Sequence, residues 1–481
     1  MAQKKLSVLC AASECFPLIK TGGLADVVGA LPRAMKDVGV DVTVFLPGFP
    51  DVLSGLSKTK TFAKLSSVAG GAAKIISGTT TTGLSVLALD APHLFNFTGN
   101  PYQNKDGTDR SGNGEKFAAF SKIAAKLALG QIGKTKYDVL HAHDWQAGLC
   151  AAYINHAGGG VKTVLTIHNL AFQGLFPKTL MDTLDLPLEW FSEDGLEYWD
   201  KVSFLKAGIA YSDHITTVSP TYALEIQSDE GGMGFGGLLR ARSANLSGIL
   251  NGIDLDVWNP KTDTEIAASY SKDAPQNKAK NKAALQKELG LRRDKTAPLF
   301  TVISRLTTQK GLDLLAAQCD YIVQQGGQLA LLGSGDSAIE AAFVAAAKNH
   351  PIEISVSIGY DELLAHRLQA GADAILIPSR FEPCGLTQLC AMRYGTVPIV
   401  GRVGGLNDTV IDASPMALDG GAATGVQFSP VNAHMLYAAL SRTFDIYKRP
   451  AQWARIVENC LSQDVGWTRS AQTYLDLYAA P

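Results

Sequence analysis

Short apolar runs recur along this chain, each followed by a stretch with helical spacing. Residues 6–12 form the first run, and 24–35 follow with Leu24, Val27, Val28 and Leu31 on one face of a helix. The alternation continues: 40–46, 84–89, 139–142, 161–167 and 214–218 read as strands, and 117–129 and 146–154 as helices. Residues 51–82, rich in Ser, Thr, Gly and Lys, interrupt it and predict an antiparallel or irregular insertion. Residues 96–114 predict a mobile loop, and 228–237 a second loop with five glycines. Near Ile249 the pattern resets. A charged helical stretch, 271–295, leads into apolar runs at 300–304, 329–332, 354–358, 374–377 and 396–400. Strands alternating with helices imply βαβ units and parallel sheet.

At 481 residues the chain exceeds the roughly 250–300 that one core holds, so two doubly wound α/β domains are expected. Their bounds read as 1–250 and 251–450, with a helical tail, 451–481, able to pack back on the first domain. The formal charge of -2 provides no cationic field, so neither nucleic acid nor a membrane is expected as a partner. Seven cysteines without a CxxC read as free thiols in a reducing, cytoplasmic setting.

Candidate chemistry sits just after the apolar runs, where open α/β sheets bind ligands. Lys20-Thr21-Gly22-Gly23 opens the helix after the first run, and its paired glycines admit a ligand close to the backbone. Arg305 and Lys310 follow the run at 300–304, a planar fork and a point charge suited to a diphosphate. Glu382 precedes a helix whose first amides, on Cys384, Gly385, Leu386 and Thr387, predict a polar cradle. Gly333-Ser334-Gly335-Asp336 is half a dinucleotide fingerprint, and Gly404-Gly405 is a second glycine turn. His141 with His143, and Asp254 with Asp256, lack further ligands at metal spacing, so no metal is expected.

Six of these stretches, in order, resemble the bacterial glycogen synthases of the ADP-glucose-type glycogen/starch synthase family. They are Lys-Thr-Gly-Gly-Leu at 20–24, His-Ala-His-Asp-Trp at 141–145, Thr-Ile-His-Asn-Leu at 166–170, Asn-Gly-Ile-Asp at 251–254, residues 305–310, and Phe-Glu-Pro-Cys-Gly-Leu-Thr at 381–387. The resemblance implies a GT-B fold, two Rossmann-like domains facing across a deep cleft. It implies transfer of glucose from ADP-glucose to the non-reducing 4-hydroxyl of an α-1,4-glucan such as glycogen, with retention and without a cofactor. Arg305 and Lys310 would then hold the diphosphate, approached also by Lys20, Gly22 and Gly23. Glu382, aided by the Cys384 and Gly385 amides, would hold glucose, with Asp144 and Asn251 opposite. His168 would bind a glucose hydroxyl through its side chain and face the anomeric centre with its carbonyl, and Tyr360 would stack on the base. Many retaining GT-B enzymes carry a second glutamate where this chain has Cys390, which leaves the ribose without an assigned ligand. A hydrolase using Glu382 and Asp144 needs no such cations. A dehydrogenase needs a complete GxGxxG. A glucan-binding module needs an aromatic ladder. A GT-B relative with another acceptor is the nearest alternative.

Overall fold

The computed structural model describes residues 5–104 and 106–480, and these divide into two compact units. The first comprises the residues up to Asn251 and those from Trp467 onward; the second is Gly252–Gly466.

The first unit is built on a nine-stranded sheet. From one edge its strands run Leu246–Gly248, His214–Thr217, Lys162–Ile167, Val139–His143, Ser7–Ala11, Asp41–Pro47 and Ser85–Asp90, all parallel. The insertion adds an antiparallel hairpin, Gly71–Thr79 and Ser57–Val68, at the far edge. The central strands are buried on both faces, which is why they read as unbroken apolar runs. Helix Gly23–Asp37 lays Val27, Leu31 and Met35 against Val8, Val139 and Val164. Tyr474 and Tyr478 join that cluster.

Those tyrosines come from the end of the chain. The tail read as one helical segment is two helices, Pro450–Ser462 and Thr468–Ala479, broken at 463–467. The former buries Ile456 and Cys460 in the core of the second unit. The latter belongs to the first unit, where Lys162 Nζ meets the Leu477 and Ala480 carbonyls at 2.7 and 2.8 Å. A cation at a helix C-terminus opposes the negative end of its dipole.

The second unit holds a six-stranded sheet, all parallel. Its order is Ile354–Ile358, Gln328–Gly333, Leu299–Ile303, Ala374–Ile377, Val397–Gly401, Val426–Phe428. In each unit the strands of the first part of the chain fill one side of a central strand, and the later strands fill its other side. That reversal fixes which loops can gather around a ligand. Among the described residues no helix is long and apolar enough to cross a membrane.

Candidate active site

In the second unit the reversal lies between Leu299–Ile303 and Ala374–Ile377. The loop after the first strand carries Arg305 and Lys310; the loop after the second carries Glu382. Lys310 Nζ donates to Glu382 Oε2 at 2.5 Å, and Ser379 Oγ donates to the same oxygen at 2.9 Å. Glu382 is only 7% exposed, and these two donors supply the hydrogen bonds that a buried carboxyl group needs. Arg305 is exposed, and among the described residues its guanidinium has no hydrogen-bond or ion-pair partner.

Backbone contacts set this spacing. Gly311 sits at φ +68°, and a Cβ there would lie 1.9 Å from the Pro378 carbonyl oxygen, so only glycine lets the two loops touch. Arg380 grips Asp313 with two bonds of 2.6 and 2.7 Å. A third loop closes on the same point. The Gly405 amide donates to the carbonyls of Glu382 and Pro383, and a Cβ on Gly404 would fall 2.0 Å from the Glu382 carbonyl oxygen.

The segment after Glu382 works differently from the sequence-based expectation. Helix Thr387–Arg393 has seven residues, so its dipole is short. A side chain does the orienting. Gln388 Nε2 donates to the carbonyls of Cys384 and Gly385, both at 3.0 Å. In a trans peptide the N–H opposes the C=O, so holding these carbonyls turns the Gly385 and Leu386 amides the other way. Cys390 packs into the hydrophobic core. Tyr360 is 69% exposed and follows Gly359, whose φ is +128°. Asp336 caps helix Ser337–Asn349 through the Ala338 and Ile339 amides.

In the first unit the reversal lies between Ser7–Ala11 and Val139–His143. The loop after Ser7–Ala11 contains a residue that the motif reading passed over. Glu14, 3% exposed, accepts from the Thr21 amide, from Thr21 Oγ1 at 2.6 Å, from the Gly22 amide at 3.3 Å and from the Tyr102 hydroxyl at 2.6 Å. One buried carboxylate thus shapes the Lys20–Gly23 turn. Lys20 itself rests on Asp26 at 2.8 Å.

Asp144 ends the loop after Val139–His143 at φ 55° and ψ -169°, a conformation costly outside glycine. Its Oδ1 accepts the His168 amide at 2.7 Å, joining two adjacent strand ends. Burial pushes its carboxyl up to about 7, against the pull of the His168 and Asn169 amides. A buried relay runs inward: His168 Nε2 meets His143 Nδ1 at 2.9 Å, and His143 Nε2 meets Cys10 Sγ at 3.2 Å. Burial pushes His168 down to about 3, so the ring is neutral at pH 7. Both nitrogens of His141 are taken by hydroxyls, Tyr478 at 2.7 Å and Thr166 at 2.6 Å. Asn251 is buried, and its Oδ1 lacks a hydrogen-bond partner among the described residues. Asp256 N bonds Asp254 Oδ1 at 2.9 Å, an Asx turn.

Two α/β units built on largely parallel sheets have the architecture of the GT-B glycosyltransferases, the class to which the following matches assign them. Residues 7–241 match the starch synthase catalytic domain, and 286–459 match glycosyl transferases group 1. A glycogen synthase of Rhodopseudomonas palustris (strain BisA53) is 51% identical over 99% of this chain and 97% of its own. Another, from Methylocella silvestris, is 50% identical over 98% of each. Among solved structures, the catalytic domain of Arabidopsis thaliana starch synthase IV, bound to ADP and acarbose, has a TM-score of 0.89 and 34% identity, covering 98% of both chains. The sucrose-phosphate synthase of Thermosynechococcus elongatus, TM-score 0.61 and 17% identity over 99% of this chain and 100% of its own, shares the fold. The chain belongs to the glycogen/starch synthase family.

Proposed function

We propose that this enzyme transfers glucose from ADP-glucose to the non-reducing 4-hydroxyl of an α-1,4-glucan, retaining the anomeric configuration. The observation that carries this reading is the Lys310–Glu382 pair, on loops at adjacent strand ends that also carry Arg305, whose guanidinium has no partner among the described residues, in a chain half identical to glycogen synthases end to end. Breaking a glycosyl–phosphate bond places negative charge on the departing diphosphate and positive charge on the sugar. Fixed cations next to the former lower the barrier by electrostatic preorganisation. Arg305 and Lys310 take that role, and in the first unit Lys20 with the Gly22 and Gly23 amides is assigned to donor phosphate. Glu382 and the amides of Cys384, Gly385, Leu386 and Thr387 hold the sugar. Asp144, Asn251 and the His168 ring serve glucose hydroxyls, with Nδ1 of His168 outside the buried relay. Tyr360 offers an open ring face to the base. The starch synthase bound to ADP supports adenine as that base.

The test is glucose incorporation into glycogen with ADP-glucose and UDP-glucose in parallel. ADP-glucose should be the better donor, and R305A and K310A should each weaken donor use by at least about tenfold, as lost charge-assisted bonds do. Equal use of both donors, or effects confined to glucan affinity, would refute the assignment.

A further inference from the structure

A surface cavity of about 350 Å³ in the first unit belongs to none of these roles. It is lined by Phe97, Arg110, Ser111, Gly112, Glu115 and Lys116, among others, and lies at the start of the sixteen-residue helix Asn113–Ala128. Among the described residues no side chain caps that helix, and Gly112 at its head has φ 72°. The first amides of such a helix lack intrahelical partners.

Two cations meet there. Arg110 donates Nε to the Asn100 carbonyl at 2.9 Å and Nη2 to the Thr98 carbonyl at 3.0 Å, and lies 4.1 Å from the Phe97 ring centroid. This fixes the guanidinium yet uses two of its five N–H groups. Lys116 is only 6% exposed, and its Nζ lies 4.7 Å from the same ring. Among the described residues that ammonium has no hydrogen-bond or ion-pair partner. A buried lysine without an acceptor is costly, the more so beside a second positive charge. Burial first, and Arg110 second, pulls Lys116 down to about 8. Glu115 provides one opposing charge at the exposed rim, which two cations and a helix start outweigh.

We propose that this cavity binds a small phosphate-bearing anion, whose oxygens take the Lys116 ammonium, the remaining Arg110 N–H groups, the Ser111 hydroxyl and the first amides of the helix. The volume exceeds what an orthophosphate fills and suits a phosphorylated monosaccharide. The Arg110 amide also donates to the Tyr102 carbonyl at 2.8 Å, and Tyr102 reaches Glu14, so an occupant would brace the segment behind the Lys20 turn.

The test is calorimetric titration of the full-length enzyme with inorganic phosphate, glucose 1-phosphate and, as neutral comparator, glucose. Saturating ADP and constant ionic strength keep the donor cations out of the measurement. At least one phosphate ligand should saturate below about 10 mM while glucose does not. Glucose 1-phosphate binding more tightly would mark a phosphomonoester site; equal affinity would mark a phosphate site. R110Q should weaken binding at least about tenfold, and K116R should retain what K116Q loses. If K116Q fails to fold, R110Q decides alone, because Arg110 lies at the surface. Failure of both phosphate ligands to saturate, or unchanged binding by R110Q, overturns the proposal and leaves the glucosyl-transfer reading untouched.

Discussion

Lys310 and Glu382 form the tightest charge pair among the residues assigned to the donor, and their coupling can be measured. Their side chains are 17% and 9% exposed, and the N–O distance is 2.5 Å. Removing one partner of a buried pair costs about 3–5 kcal/mol, chiefly because the other charge stays behind unpaired. Here the lysine's partial exposure and the Ser379 bond soften that cost, so about 2 kcal/mol is expected for K310M and for E382Q alike. The double variant leaves no stranded charge. It should cost about 2 kcal/mol, not the sum of about 4, an interaction energy within the range seen for contacting residues. Both side chains belong to the second unit, so the assay is native-state hydrogen exchange of its central strands, Leu299–Ile303 and Ala374–Ile377, whose opening reports the unit's own stability. Costs that add to within about 0.5 kcal/mol would refute the coupling.

Three further predictions concern residues that position others. G404A puts a Cβ against the Glu382 carbonyl oxygen and should lower kcat/KM by about 100-fold, the effect of displacing a reacting group by an ångström, with circular dichroism unchanged; a near-normal rate would remove that contact from consideration. E14Q weakens four hydrogen bonds at the Lys20 turn, whereas Y102F deletes only one of these four, together with the Tyr102 bond to Ser13, so E14Q should raise KM for ADP-glucose distinctly more than Y102F; equal effects would contradict the hub role. Burial holds His141 and His168 down near 3, so the stability they contribute is present above the unfolded value of about 6.5 and lost as pH falls toward 3. Asp144, raised to about 7, runs the opposite way between about 4 and 7. H141Q should therefore reduce the acid-side slope of stability by close to one proton, read from urea midpoints across pH, and an unchanged slope would count against a neutral buried imidazole.

The parallel strands were legible because both faces are buried, which writes them as continuous apolar runs such as 139–142 and 374–377. The edge strands Leu246–Gly248 and Val426–Phe428 have three residues each and carry no period to detect. A small antiparallel sheet of Leu175–Pro177, Lys201–Ser203 and Glu197–Tyr198 escaped for the same reason. The loop at 228–237 gives way to a short helix, Gly236–Ala241, because two glycines mask a Leu-Leu pair that packs inward at Leu239. Candidate ligands were legible by type and position: Arg305, Lys310 and Glu382 follow strand ends, and the topology brings Lys310 and Glu382 into contact.

What stayed hidden is the partner rather than always the residue, since His143 and Gly404 stand out in the sequence while the atoms they act on do not. Glu14, His143, Gln388 and Gly404 each act on an atom that spacing does not reveal. Glu14 meets a hydroxyl 88 positions away, and Gly404 leaves room for a carbonyl 22 positions earlier. A cation announces itself by its own chemistry, whereas a residue that aims a neighbour is defined by the neighbour's position. Gln388 makes the point within four residues. Its sequence reads as ordinary helix, but its amide decides which way two peptides face. Replacing it with leucine would keep the helix and its apolar burial while releasing both carbonyls. The amides assigned to the sugar would then lose direction without any change in the motif that identifies them.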